Sequence, residues 1–191
     1  MYNKKPKIIF NISRFFQEEI GVGLSKINSL YNFLREFKKY FKFYENKILF
    51  YIPKYTGFKW EEDEINVWIF CGYRPSISFP LLLNWYNGDK EFALFILIHE
   101  LTHRNLYFLL PIIKKRIDTL ELEAIINLVT IQVAKKVFDK RTVVRLKKLA
   151  YFNGEYKYVW KRVEELEKCW NLEKKPLRAY IKKNKNIRIV K

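Results

Sequence analysis

The decapeptide Ile96–Asn105, ILIHELTHRN, holds both histidines of the 191-residue chain, His99 and His103, four positions apart with Glu100 between them. On an α-helix, residues four apart stand one turn above each other on the same face, so the two imidazoles can reach one metal ion. The bland alternative is a pair of buried, hydrogen-bonded core histidines that bracket a glutamate by chance. Just upstream, Asn87-Gly88-Asp89 breaks the chain and offers Asp89 as an N-cap. The helix it opens is expected to run to about Leu110, where Pro111 closes it.

His-Glu-x-x-His has a specific chemical meaning. Imidazole nitrogen at roughly 2.0–2.1 Å is a preferred zinc donor, and a catalytic zinc takes three protein ligands and keeps one position for water. Zinc lowers the pKa of that water towards ~7, and a flanking carboxylate such as Glu100 can take its proton and later return it to a leaving amine. These are the parts of a hydrolase. With no third histidine in the chain, a carboxylate has to complete the site. The next apolar-periodic stretch, Asp118 to Phe138, reads as a second long helix and offers Asp118, Glu121 and Glu123. Two residues apart on a helix, Glu121 and Glu123 face roughly opposite sides, so only one of them can point at the metal.

Around these helices the apolar period changes several times. From Leu24 to Phe41 it is helical, with Ile27, Leu30, Tyr31, Leu34, Phe37 and Phe41 on one face. KILFYIPKY from Lys47, INVWIFCGY after the acidic turn EEDE, and SISFPLLLN from Ser76 read as three short strands. Pro80 removes a ladder donor from the third and assigns it to a sheet edge. Two further helices are expected around Lys140–Phe152 and Glu155–Trp170. The resulting fold class is α+β: an N-terminal helix, a small three-stranded, mostly antiparallel sheet, the HExxH helix, the glutamate helix, then C-terminal helices. A chain that is 49% hydrophobic and 18% aromatic can bury one substantial core at this length. Residues 1–173 are therefore expected as a single domain, with a core over 24–138 and a helical part over 139–173, followed by a basic tail at 174–191. That tail reads either as a solvated end or as a segment that folds into an acidic cleft and restrains activity.

The motif and the segment Glu123-Ala-Ile-Ile-Asn127 together resemble the gluzincins, HExxH zinc peptidases whose third ligand is a glutamate on the following helix. The separation from His103 to Glu123 is also similar, and HELTHRN resembles the minimal gluzincins and the catalytic cores of HtpX-like membrane peptidases. The resemblance covers roughly Leu24 to Phe138. It implies a zincin-like peptidase with one Zn2+ per chain held by His99, His103 and Glu123, and with Glu100 as general base and then acid. Glu121 is left solvated or salt-bridged. Asn127 stands where the family has an aspartate that orients the first histidine, and its amide oxygen can accept the same bond without the charge. Arg104 and Asn105 also depart from the wider pattern, which has uncharged and apolar residues there. The edge strand of such a scaffold lines the cleft and pairs with an extended peptide, which nominates Ser78, Phe79 and Leu81. A donor for the developing oxyanion would come from downstream, among Tyr151, Tyr156, Tyr158, Arg145 and Arg178.

Other features bound the alternatives. The chain carries 37 Lys and Arg against 20 acidic residues, a formal net charge of +17, which favours acidic partners. A nucleic-acid surface using Trp60, Trp68, Trp85 and Trp160 is the competing function class, and a zinc-binding scaffold without turnover is a third. The basic residues alternate with apolar ones at helical spacing and form no single stripe, and no nucleic-acid motif is present. Many charges and only two glutamines fit a heat-adapted source. Cys71 and Cys169 lie far apart without a CxxC partner and read as free thiols. KIIFNI is too short for a signal-peptide core, and the apolar runs FALFILI and LYFLLPII fall below the ~20 residues of a spanning helix. These absences predict a soluble, cytoplasmic protein.

Overall fold

In the N-terminal segment KIIFNI, β-branched residues surround a single phenylalanine, and the segment forms strand β1, Lys7–Ile12. Phe10 turns inward and meets Phe37 and Phe41 edge-on, with ring centroids 5.6 and 5.1 Å away. The structure is a computed structural model that describes residues 5–13, 24–71, 75–109, 113, 117–153 and 157–183. After β1 the chain returns along helix α1, Leu24–Thr56, so that β2, Glu64–Phe70, lies parallel to β1. A crossover through a helix allows this pairing, whereas a tight turn would have made it antiparallel. Two further strands follow, β3 at Ile77–Ser78 and β4 at Leu81–Asn84. The sheet order is β1-β2-β4-β3, with β4 parallel to β2 and β3 antiparallel to β4.

Among the described residues the sheet therefore has four strands and mixed direction, against the expected three mostly antiparallel ones. The missed strand is β1. The misassigned one is KILFYIPKY, which continues α1 as helix. Its aliphatic and aromatic residues suggested β-structure, but Ile48, Leu49, Ile52 and Tyr55 extend the buried stripe of Leu30, Phe33, Leu34, Phe37 and Phe41 at helical spacing. Burial of that continuous face overrides local propensity. Pro53 lies inside the last turns and has no N–H for the Leu49 carbonyl, which instead accepts the Trp60 indole N–H at 3.0 Å. SISFPLLLN is likewise two strands, because Phe79 and Pro80 form the turn between β3 and β4.

One face of the sheet is covered. Along β2, Ile65, Val67 and Ile69 are buried, while Glu64, Asn66 and Trp68 alternate outward. Against the inner face pack α1 and helix α2, Lys90–Leu106, and behind them lies α3, Thr119–Val137. Helices α4, Lys140–Asn153, α5, Lys157–Cys169, and α6, Leu177–Lys183, complete the α+β arrangement. Of the fifth expected helix, the start at Glu155 lies outside the described residues, as do Leu110 and Pro111 at the expected end of the HExxH helix. Among the described residues, no helix is long and apolar enough to cross a membrane.

The expected boundary at residue 173 does not hold. Leu177 and Ile181 of α6 are buried in the main core, and Trp170 stacks on Tyr180 with centroids 4.2 Å apart. Two apolar residues four apart in a lysine-rich stretch are too few to show as periodicity, yet they suffice to dock one helical turn. Residues 184–191 of the expected tail lie outside the described residues.

The junction of α1 and α6 turns on one glycine. Gly57 closes α1 with φ +76, its N–H reaching the Pro53 carbonyl at 2.8 Å. A Cβ at this position would stand 2.9 Å from Arg178 Cβ and 3.2 Å from Pro176 Cβ. Gly57→Ala is expected to cost about 1–2 kcal/mol from the left-handed backbone alone, with displacement of α6 adding to it. Urea unfolding reads the loss, and unchanged stability would mean that α6 does not dock there.

Candidate metal centre

Helix α2 begins where the sequence places it. The Asp89 carboxylate accepts the Phe92 N–H at 2.9 Å, and residues 90–106 follow as helix before a short 3-10 turn over Tyr107–Leu109. Helix α3 starts in the same way, with Asp118 accepting the Glu121 N–H at 2.9 Å. Asp118 is thus used as a cap, which removes it from the three carboxylates considered for the site.

The two helices pack against each other and bring His99, His103 and Glu123 together. His99 Nε2 and His103 Nε2 are 3.1 Å apart, Glu123 Oε1 is 3.4 Å from His103 Nε2, and Glu123 Oε2 is 3.7 Å from His99 Nε2. Three donors about 2.0–2.2 Å from one ion at tetrahedral angles lie about 3.3–3.6 Å from one another. The observed edges lie within about 0.2 Å of that range, so the three residues could hold a metal ion after a small adjustment.

Burial holds the His99 imidazole far below its ordinary value of 6.5, at about 4, and the neighbouring His103 adds to the effect. Glu123 and the hydrogen bond that the ring donates to Asn127 oppose it. Asn127 Nδ2 donates to the Glu123 carbonyl at 2.9 Å, which leaves the amide oxygen for the His99 ring. Glu100 is 6% exposed. Burial raises its carboxyl above the usual range and Glu123 adds to that, against His103 and the Ser78 hydroxyl, which donates to Glu100 Oε2 at 2.7 Å.

Glu121 points the other way from Glu123 and is fully buried. Arg162 of α5 grips its carboxylate through Nε at 2.8 Å and a terminal nitrogen at 3.0 Å, and the Tyr180 hydroxyl of α6 donates to it at 3.0 Å. Of the two expectations for Glu121, the salt-bridged one holds and the solvated one does not. The described part of the basic tail accordingly docks on the side of α3 opposite Glu123.

Ser78, Phe79 and Leu81 separate. Ser78 lies on the outer strand β3 and meets Glu100. Phe79 sits in the turn, stacked on Tyr107 at 4.0 Å with the Arg104 guanidinium over its ring at 4.4 Å. Leu81 is a core residue, 1% exposed and paired with Val67 on the inner strand β4. It cannot line a cleft, because Pro80 ends the outer strand before it.

The two residues that depart from the wider pattern have structural partners. Arg104 forms a two-point ion pair with Glu62. Asn105 is buried, accepting the Thr56 hydroxyl at 2.6 Å and donating to the Phe58 and Lys59 carbonyls, so it ties α2 to the end of α1.

The suggested oxyanion donors are scattered. Arg145 pairs with Asp89 and Glu91 at the far end of α2, about 15 Å along the helix from His99. Tyr158 is 83% exposed, Tyr151 packs on Trp160, and Arg178 lies over Phe58. Tyr156 lies outside the described residues. A tyrosine that the sequence reading passed over, Tyr86, hydrogen-bonds Ser76 at 2.9 Å, and burial pushes its phenol up to about 12. The alternation Ser76-x-Ser78 was the available signal, since it sends two hydroxyls to one face of a strand.

No protein-family model matches this chain, and neither does any curated protein or solved structure.

Two outcomes follow from the charges. In metal-free protein, the unfolded chain takes up a proton at His99 below about pH 6.5 that the folded chain refuses until about pH 4. The unfolded state binds more protons across that window, so stability falls as pH falls through it. Urea midpoints should show that decline, and His99→Gln should flatten it. Separately, Arg162→Ala leaves Glu121 buried without its cation. A loss of about 3 kcal/mol is expected, at the low end for a broken buried pair because water can enter beside a partly exposed guanidinium. Chemical denaturation measures it, and a change below about 1 kcal/mol would place the pair among surface ion pairs.

Proposed function

We propose that this chain is a zinc-dependent metallopeptidase of gluzincin type, built on a zincin-like scaffold, with His99, His103 and Glu123 as the zinc ligands. The observation that carries this reading is the convergence of these three side chains from two helices at close to tetrahedral spacing, with Glu100 flanking them. Two imidazoles and one carboxylate are a donor set that suits zinc and leaves a position open. Zinc bound there supplies Lewis acidity and lowers the pKa of a coordinated water to about 7.

The chain's own residues supply the rest. Burial raises the proton affinity of Glu100, which suits a group that must accept a proton and then release it to a leaving amine near neutral pH. Asn127 holds the His99 ring so that Nε2 faces the other donors. Burial keeps His99 neutral, and a neutral imidazole has the free lone pair that a ligand needs. Among the described residues β3 carries no strand on its outer side, which leaves backbone groups beside Glu100 for an extended peptide to pair with.

Elemental analysis of purified protein should find about one zinc per chain, lost or strongly weakened in Glu123→Ala. Glu100→Gln should retain the zinc and lose peptide turnover by about 10²–10⁴-fold. Folded wild-type protein that takes up no zinc, or a Glu100→Gln variant that cleaves as fast as wild type, would sink the proposal.

A further inference from the structure

The short outer strand β3 is fixed to α2 at three levels. At its start, the Ser76 hydroxyl accepts the Asn84 N–H at 3.0 Å and bonds the Tyr86 hydroxyl at 2.9 Å. Tyr86 in turn packs edge-on against Phe92 of α2, with centroids 4.7 Å apart. To do so it adopts φ +47, a left-handed backbone that side chains other than Gly and Asn rarely take. At the other end, Phe79 stacks on Tyr107, the Arg104 guanidinium lies against both rings, and Glu62 holds Arg104. Between these anchors Ser78 donates to Glu100 Oε2 at 2.7 Å. Glu100 and Arg104 lie along one side of α2, beside the stripe that carries the two histidines, Phe92 lies on that stripe two turns before His99, and Tyr107 follows in the short turn after the helix. With both ends held, β3 has little freedom to slide along the helix, and Ser78 has one place to put its hydroxyl.

Among the described residues, Ser78 is the hydrogen-bond donor to the Glu100 carboxylate. A carboxylate that is 6% exposed and rotates freely would sample orientations that face apolar neighbours. One short bond to Oε2 removes that freedom and leaves Oε1 as the oxygen that can accept a proton.

We propose that Ser78 is a positioning residue: its hydroxyl fixes the rotation of the Glu100 carboxylate, and its location on the outer strand makes that contact respond to a peptide docked on β3. This rests on the hydrolytic reading above. A peptide that adds to the free edge of β3 holds Ser78 more firmly against Glu100, so the proton acceptor is best aligned when substrate is present. The contact therefore acts on turnover more than on substrate affinity.

Two measurements test it, one of which does not depend on turnover. In metal-free protein, Ser78→Ala should lower the thermal midpoint by about 2–4 °C, as expected for one hydrogen bond in a chain of this size. In a Glu100→Ala background the same change should have almost no effect, because the partner is gone. In zinc-loaded protein, Ser78→Ala should reduce kcat about 10-fold with KM within about twofold and zinc content unchanged. Ser78→Thr, which keeps a hydroxyl, should recover most of the rate. Equal midpoint shifts in the two backgrounds would overturn the contact while leaving the hydrolytic reading intact. A raised KM with unchanged kcat would overturn the positioning role and make Ser78 a substrate contact alone. Wild-type protein that binds zinc but cleaves no peptide would overturn the hydrolytic reading and, with it, the catalytic meaning of the contact.

Discussion

The rotation of α3 about its own axis decides whether the candidate centre exists, and the ion pair between Glu121 and Arg162 sets that rotation. Glu121 and Glu123 are two residues apart and so about 200° apart around the helix. A half-turn of α3 would put Glu121 towards the histidines and bury Glu123. It would also strip Arg162 and Tyr180 of their shared partner. An uncompensated carboxylate in the interior is among the costliest errors a fold can make. The buried pair thus earns its place by exclusion: the alternative rotation leaves charges unmatched on both sides of the helix. Helices α5 and α6, which supply none of the three residues of the candidate cluster, hold Glu123 in position from behind.

Helix α2 carries a different job on each side. Leu94, Leu97, Ile98 and Leu101 enter the core, and His99 and His103 face α3. Glu100, Arg104 and Tyr107 receive the β3–β4 hairpin, and Asn105 is tied to the end of α1. A helix contacted on every side has little freedom to shift along its axis or rotate. That rigidity matters for a ligand triangle whose edges are set within a few tenths of an ångström by two separate helices. Part of the +17 charge is consumed in the same work: Arg104 pairs with Glu62, Arg145 with Asp89 and Glu91, and Lys135 and Lys147 with Glu167. These cations brace elements against one another.

What could be read from the sequence follows from how local each signal is. HExxH, the Asp89 cap, the Asp118–Phe138 helix and the opposed directions of Glu121 and Glu123 depend only on helical geometry, and each has its counterpart in the structure. The strand KIIFNI and the helical continuation through KILFYIPKY were illegible because both depend on partners. β1 is stabilised by pairing with β2, more than fifty residues away, and the α1 extension by a core face that begins at Leu30. A proline within an apolar run signals a disturbed strand but not where one strand ends and the next begins; here Phe79 and Pro80 make the turn, which places Leu81 on the buried strand. The tail looked unstructured because two apolar residues and one tyrosine anchor it. No composition rule registers so few contacts.

The remaining question is whether His99, His103 and Glu123 form a ligand set or a structural ion-pair cluster. An ion-pair cluster requires charged imidazoles. Burial opposes that charge at His99, and His103 beside it makes a second positive charge harder still. The distances disagree with it too. At 3.4 and 3.7 Å the carboxylate oxygens stand beyond good charge-assisted hydrogen bonds to Nε2, while the two Nε2 atoms face each other at 3.1 Å. Two neutral imidazoles aimed at one point satisfy each other through at most one proton. A cation in the space between them would give each lone pair a common target. Such a geometry could bind a metal ion, and polar groups left short of ideal partners in an interior are what a binding site requires.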